Sequence, residues 1–346
     1  MTILVTGATG HLGNVLVRNL VARGERVRAL VLRGESLLPL EGLPVEVVPG
    51  DVLDEDILRF AMQGVDQVYH LASLIAIRPG MDEKVWRVNV EGTQNVIRAA
   101  LATGVKRLIY TSSIHALKRP QAAEMVDERL PFDPENPAGI YDRSKAAASL
   151  LMKRAIREGL DGVIVCPTGI IGPYDFLGSE MGGLVRQAMK QRLILAVDGG
   201  FDFVDVRDVA QGLILAAEKG KRGEIYLLSG TWIEIKTMLT KVGEITGRPV
   251  RVIMLPRDFS MRIAKINLMV ARWFNLRPRF TPYAIETVSD SFRVSSAKAR
   301  EYLGYQTRVI EETLRDTVAW WRLWQRRPAQ WSFLLGRGLA EAPQFR

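Results

Sequence analysis

The chain opens Met-Thr-Ile-Leu-Val-Thr-Gly-Ala-Thr-Gly-His-Leu-Gly, a short apolar run set directly against a loop with glycines at 7, 10 and 13. No other stretch constrains the fold as strongly, because a buried strand has to feed a tight turn and then a helix. Gly7 can adopt backbone angles that a Cβ forbids, Gly10 lets the main chain approach a pyrophosphate, and Gly13 lets the helix sit close to the strand. The helix N-terminus then aims free N–H groups and a partial positive charge at the phosphates. Tight strand-to-helix turns use the same residues for structural reasons alone, so the motif takes its meaning from the elements downstream of it.

Those elements form a βαβ unit. Leu12, Val15, Leu16, Leu20 and Val21 recur at helical spacing, Gly24 ends the element, and Val27 to Leu32 reads as a second buried strand. About twenty residues beyond the glycines, where an acid would bond the ribose 2′-OH of NAD, stands Arg33. A cation there fits a 2′-phosphate, so NADP(H) is the expected cofactor and NAD(H) the alternative, with Glu35 weakening the distinction.

The alternation continues along the chain. Pro44 to Val48 is a third strand, Asp54 caps a helix through Met62, and Gln67 to His70 is a fourth strand. A long helix runs from about Asp82 to Gly104, and Lys106 to Tyr110 is a fifth strand. Four prolines between Ala116 and Pro137 mark a loop, followed by a helix from about Gly139 to Glu158 and a sixth strand, Gly162 to Cys166. Helices are also expected over Val206 to Glu218 and Trp232 to Gly247. The expected fold class is α/β: a Rossmann-type doubly wound parallel sheet with a smaller C-terminal α/β substrate lobe. The expected division is a dinucleotide-binding domain over 1–172, joined again by elements around 201–230, then a substrate-binding lobe over 173–325 and a basic aromatic tail over 326–346.

Composition sets outer bounds. The chain has 346 residues, is 47% hydrophobic, and holds one cysteine and three histidines. Internal disulfides are excluded, Cys166 reads as a buried strand residue, and no ligand spacing suggests a metal. Neither a signal peptide nor an uninterrupted membrane-spanning run is visible, so the cytoplasm is the expected location. The net charge of +9 is C-terminal: residues 251 to 280 carry seven Lys/Arg against Asp258, and residues 322 to 346 five Arg against Glu341. No motif that reads nucleic acid accompanies these charges, so no nucleic-acid partner is expected, and an anionic ligand or anionic lipid suits them better.

Chemistry gathers at the ends of strands five and six, where open parallel sheets bind ligands. Strand five runs into Thr111-Ser112-Ser113, and the helix after the proline loop opens Tyr141-Asp142-Arg143-Ser144-Lys145. Residues four apart share a helical face, and a lysine beside a phenol lowers its pKa toward working pH. Such a phenol exchanges a proton with an alcohol/carbonyl pair while a serine hydroxyl holds the oxygen. His115, two residues past Ser113, is a candidate substrate contact, with a satisfied loop histidine as the alternative. His70 and His11 read as structural or as backbone cofactor contacts.

These features together resemble the extended short-chain dehydrogenase/reductase family. The match runs through Thr6 to Gly13, Gly50-Asp51-Val52, His70-Leu71-Ala72-Ser73, Asn89-Val90-Glu91-Gly92-Thr93, Thr111-Ser112-Ser113, Tyr141 to Lys145, Pro167 to Pro173 and Phe203 to Ala210. The resemblance implies a cofactor site formed by Gly7, Thr9, Gly10, His11, Leu12 and Gly13. It also implies that Asp51 and Val52 meet the adenine, that Leu71, Ala72 and Ser73 line the nucleotide, and that Pro167 and Ile170 approach the nicotinamide. Ser113, rather than Ser112, matches the catalytic hydroxyl beside Tyr141, and Lys145 would also hold the nicotinamide ribose.

Departures from the pattern narrow the branch. Sugar-nucleotide epimerases typically carry Tyr-Phe-Asn on strand six, against Val165-Cys166-Pro167-Thr168 here, and dehydratases carry Asp-Glu where Ile114-His115 stands. The chain is most similar to bacterial dihydroflavonol-4-reductase-like and 3β-hydroxysteroid-dehydrogenase-like members, implying an oxidoreductase acting on a hydrophobic ketone, aldehyde or secondary alcohol. An epimerase using the same Ser/Tyr/Lys set is the alternative, and a non-catalytic cofactor-sensing or scaffold protein is a third reading.

Three expectations concern partners. In the resembled family the helices beginning near Asp82 and Tyr141 form a four-helix bundle across a homodimer, and Val85, Trp86, Val88, Val90, Ala146, Ala147, Leu150 and Leu151 supply apolar surface for one here. From Phe259, an apolar stripe through Ile263, Ile266, Val270, Trp273 and Phe274, flanked by Arg262, Lys265 and Arg272, reads first as core packing and second as a lid or membrane-surface helix. The segment with Arg322, Trp324, Arg326, Arg327, Trp331, Phe333, Leu334 and Arg337 is expected to dock on the protein, with weak membrane-surface contact as the alternative.

Overall fold

Alternation of apolar residues along each early strand divides the core into two halves. Ile3 and Val5 point to one side of the sheet and Leu4 to the other, as do Ile109 against Leu108 and Tyr110, and Val163 and Val165 against Ile164 and Cys166. In the computed structural model, which describes residues 1–75, 80–120, 125–273, 282–289 and 292–325, these strands form one seven-stranded parallel sheet. Its strands are β1 (Thr2–Thr6), β2 (Arg26–Val31), β3 (Val45–Pro49), β4 (Gln67–His70), β5 (Arg107–Thr111), β6 (Gly162–Pro167) and, later in the chain, β10 (Ile225–Leu228). The spatial order β10-β6-β5-β4-β1-β2-β3 reverses between β1 and β4, which opens a crevice beyond the carboxyl ends of those strands.

Helices cover both faces. On one side lie α2 (Glu55–Ala61), α3 (Asp82–Trp86), α4 (Gly92–Thr103) and α5 (Ile140–Arg157). On the other, α1 (His11–Ala22) packs beside α7 (Val206–Lys219), and α11 (Ala297–Leu303) adds Ala299 and Leu303. Asp54 caps α2 as its residue type suggests, accepting from the amides of Asp56 and Ile57 at 3.1 Å.

The remaining elements build the second lobe. They are β7 (Gly169–Ile171), α6 (Glu180–Lys190), β8 (Leu193–Val197), β9 (Gly200–Asp205), β11 (Thr231–Glu234), α8 (Ile235–Thr246), β12 (Arg251–Leu255), α9 (Arg257–Trp273), α10 (Pro282–Ser289) and α12 (Ile310–Gln325). A three-stranded sheet β11-β9-β7 and a parallel pair β12-β8 form here. Asp205 fastens this lobe to the first. It caps α7 through the Arg207 amide and clamps the Arg207 guanidinium, whose other arm reaches Asp316 of α12 at 2.6 Å.

Four expectations need correction or limits. The helix expected over 82–104 is interrupted by a π turn at Arg87–Glu91, which turns the polar side chain of Asn89 into the interior. The segment expected as a helix from Trp232 begins as β11, because Thr231-Trp232-Ile233 pairs antiparallel with β9; Gly200, two residues along β9 from the partner of Trp232, leaves room for the Trp232 ring, where a Cβ would lie 2.5 Å from it. The stripe on α9 is not core: Phe259, Ile263 and Ile266 are exposed, while Ser260 and Ala264 face inward. Val270, Arg272 and Trp273 have no described side chains, and Phe274 lies outside the described residues, as do Arg326, Arg327, Trp331, Phe333, Leu334 and Arg337. Just before that tail, Trp320 and Trp321 are buried, and Trp320 stacks on Trp324 and meets Phe176 edge-on.

Candidate active site

The crevice floor is built from backbone at van der Waals limits. Gly7 sits at φ +70°, and a Cβ there would come within 2.8 Å of the Ala72 amide. A Cβ on Gly13 would fall 2.0 Å from the Gly7 carbonyl oxygen, so the first turn of α1 lies directly against the loop. No side chain caps α1 at Gly10, which leaves its first amides for an anion. That uncapped terminus, beside glycines with no side chain to obstruct approach, fits a dinucleotide pyrophosphate.

The other expected cofactor residues line the same sheet edge with differing roles. Thr9 is buried, whereas Leu12, Asp51, Leu71, Ala72, Ser73 and Ile170 are half-buried and Arg33 is exposed at the end of β2. Asp51 accepts from the Leu53 amide. Val52 is buried against Gly92, and Pro167 closes β6. His11 bonds the Pro173 carbonyl through Nε2 at 3.0 Å, joining α1 to the second lobe. His70 is held between the hydroxyls of Thr6 and Thr93, and burial drives its pKa down to about 3, so it is a neutral structural group. Cys166 is buried, its thiol pushed up to about 12 by desolvation, which removes it as a nucleophile.

Ser113, Tyr141 and Lys145 converge where β5 and α5 meet. Ser113 leaves the strand in an extended conformation, its hydroxyl accepting from the His115 amide at 3.2 Å. Lys145 is 3% exposed and donates to the Thr111 carbonyl at 2.8 Å; burial lowers its pKa to about 8. Contrary to the expectation of a lowered phenol, burial raises the pKa of Tyr141, with the Ser113 hydroxyl opposing the rise and the Asp142 carboxylate adding to it. Lys145 lies one turn along, bound to Thr111, rather than on the phenol.

Asn89 carries a role that the sequence alone did not assign. From the π turn it accepts from the Leu74 amide at 2.7 Å and from Ser73 Oγ, and it donates to the Leu74 carbonyl and to Ser144 Oγ at 2.9 Å. One buried amide thus binds the loop after β4 to the helix that carries Tyr141 and Lys145. Its signal in sequence was its place in the Asn89-Val90-Glu91-Gly92-Thr93 motif, whose role emerges only when the π turn directs the side chain inward.

His115 lies beside Tyr141. Its Nδ1 is 3.4 Å from Asp142 Oδ1, and its ring meets Tyr141 edge-on, stacks on Phe201 and approaches Tyr283 of α10. Burial and the Asp142 carboxylate hold the Tyr283 phenol well above its ordinary value. A small pocket beside this cluster is lined by His115, Leu117, Val126, Asn136, Asp142 and Phe292.

Comparison with known proteins agrees with this architecture. The model of the NAD dependent epimerase/dehydratase family matches residues 3–229. Sterol demethylase protein B of Methylococcus capsulatus is 39% identical over 326 residues, covering 93% of this chain and 98% of that protein. A putative dihydroflavonol 4-reductase of Synechocystis is 31% identical over 322 residues, covering 92% and 94%. Among solved structures, that of gox2253 superposes with a TM-score of 0.82 at 34% identity, covering 94% of this chain and 99% of that one.

The buried ammonium has a measurable consequence. Between about pH 8 and the ordinary lysine value near 10.4, the unfolded chain keeps a proton that folded Lys145 has lost, so stability rises with pH through that window. In urea titrations at pH 7.5 and 9.5, the parent should gain about 2 kcal/mol relative to Lys145→Met. A difference that does not change with pH would show that the ammonium is solvated.

Proposed function

Since the chain belongs to the NAD dependent epimerase/dehydratase family, and is an NAD(P)-dependent oxidoreductase of its reductase/dehydrogenase kind, we propose that Tyr141 exchanges the proton with the substrate oxygen while Ser113 positions that oxygen. The observation that carries this reading is the convergence of Ser113, Tyr141 and buried Lys145 at the same carboxyl edge of the sheet as the uncapped terminus of α1. A nicotinamide dinucleotide bound there supplies hydride exchange with the substrate carbon. In this proposal the Lys145 ammonium holds the nicotinamide ribose, while the Ser113 hydroxyl opposes the burial that raises the phenol. Desolvation already lowers the cost of moving a proton from that lysine.

The substrate class follows from the walls. Phe201, Tyr283 and Phe292 are aromatic, and His115 is the polar group among them, oriented by Asp142. We assign it recognition of a hydroxyl or carbonyl on an otherwise hydrophobic ketone, aldehyde or secondary alcohol. After β6, Thr168 Oγ1 donates to Asp202 at 2.7 Å, and no asparagine stands among residues 165–173. We further propose that 1–172 with the later elements binds the cofactor and that 173–325 forms mainly the substrate lobe. The cofactor preference is assigned to NADP(H) through Arg33. The assembly is assigned as a homodimer through α3 to α5, where Trp86 and Leu150 point outward while Val85 and Ala146 are internal.

Turnover of a panel of hydrophobic ketones with NADPH, set against nucleotide sugars, tests the reading. Tyr141→Phe should retain cofactor binding and lose kcat by roughly a hundredfold or more, whereas His115→Ala should act mainly on KM. Parent-level kcat in the phenylalanine variant would remove Tyr141 from the chemistry. Arg33→Asp should weaken NADPH by roughly tenfold or more while sparing NADH; equal NADPH affinity would make Arg33 a surface residue only. Light scattering at micromolar concentration should read twice the 38.7 kDa chain mass, and a monomer would overturn the helical interface.

A further inference from the structure

The outward face of β8, β12 and α9 is apolar where a surface helix and an edge sheet are ordinarily polar. Along β8 the side chains alternate, with Ile194 and Ala196 in the core and Leu193 and Leu195 more than half exposed. Arg251 and Ile253 of β12 pair with those two leucines and share their outward side. β12 then runs through Pro256 straight into α9. That helix buries Ser260 and Ala264, the latter against Val197 and Ile285, and turns Phe259, Ile263 and Ile266 to solvent at i, i+4 and i+7. Phe259 is 53% and Ile266 58% exposed. Such a stripe on one helix, continuous along the chain with an apolar strand face, is not the scatter of single residues usual on a soluble surface.

The charges beside it are mostly positive. Arg257, Arg262 and Lys265 flank the stripe on the helix, and Arg192 and Arg251 flank the strand face; all five are exposed. Among the described residues none of these five forms a salt bridge, and Asp258 is the one acid in the described part of α9. Apolar side chains rimmed by unpaired cations match a surface that offers both hydrocarbon and negative phosphate.

We propose that this face docks on an anionic lipid surface, with Phe259, Ile263 and Ile266 entering the boundary between headgroups and acyl chains and the cations meeting lipid phosphates. α10 follows α9 in the chain and packs on it, and it carries Tyr283 to His115, so the docked face adjoins the wall assigned to substrate. A hydrophobic substrate would then reach the crevice from the bilayer side without crossing bulk water. The docking itself does not depend on the oxidoreductase reading, because it can be measured as binding alone.

The test is co-sedimentation of the full chain with vesicles of equimolar phosphatidylglycerol and phosphatidylcholine, or of phosphatidylcholine alone. Two variants accompany the parent, Phe259→Ser with Ile263→Ser, and Arg257→Glu with Arg262→Glu and Lys265→Glu. All the changed side chains are exposed, and an unchanged melting temperature confirms folding. The parent should bind the anionic vesicles, more weakly in high salt, and each variant should bind at least about tenfold less tightly. Equal binding of parent and variants would assign the contact elsewhere, including residues 326–346, and overturn the proposal. So would equal binding to phosphatidylcholine alone, no sedimentation of the parent, or a self-association that the serine variant abolishes without vesicle binding, which would mean that a second copy covers the face.

Discussion

The rest of the structure hangs from one contact, the approach of the first turn of α1 to the loop that feeds it. With a Cβ on Gly13 the distance to the Gly7 oxygen would be 2.0 Å, so only hydrogen at that position lets helix and strand meet. Once α1 is fixed there, its apolar side closes one half of the core against β1 and α7. Its uncapped N-terminus points into the space beyond the strand ends. The same contact therefore sets a packing distance and an electrostatic one. An anion held there would need no charged side chain at the loop, because the backbone itself would supply the donors.

The chemistry depends on a second device, the π turn that carries Asn89. An uninterrupted α-helix would place successive polar groups along its outer face. The extra residue in the turn rotates Asn89 inward, where its amide bonds backbone on one side and Ser144 on the other. Since Ser144 lies between Tyr141 and Lys145 on α5, the asparagine fixes the register of that helix against the loop after β4. Lys145 is held in turn by the Thr111 carbonyl, and Ser112 by Ser149, so β5 and α5 are joined at two levels. These bonds are buried, and a buried polar group left unpaired is costly, which makes the arrangement rigid.

Charge follows a different logic at the two ends of the molecule. Around α7 it is internal and structural, with Asp205, Arg207 and Asp316 forming a buried cluster that ties α12 to the sheet. Around α9 it is external and borders exposed hydrocarbon. His115 and Asp142 stand between these regimes, half-enclosed by aromatic rings beside the phenol. Under the proposed function, such a pair would discriminate between substrates by being left unsatisfied when the partner group is missing.

Much of the first lobe was legible in the chain. Period-two apolar runs, turn glycines and the Asp54 cap are local signals, and they placed β1 to β6 and most of their helices, because local sterics and burial decide them. The glycine turn, Ser113, Tyr141 and Lys145 were likewise visible as spacing on adjoining elements. The strand at Trp232, the exposed stripe of α9 and the inward turn of Asn89 were not, because each depends on which surface a neighbour leaves open. β9 offers a pairing edge to Thr231-Trp232-Ile233, Ala264 rather than Ile263 finds the gap beside Val197, and the loop after β4 accepts the Asn89 amide. Periodicity shows that a helix has an apolar side; it says nothing of whether the protein covers that side. The raised phenol and lowered lysine belong with these, since desolvation is set by everything packed around a group. The sequence by itself determined the fold and brought the candidate groups Ser113, Tyr141 and Lys145 to notice, through short-range geometry, and only the tertiary structure decided their burial and the direction its amphipathic surfaces face, through packing.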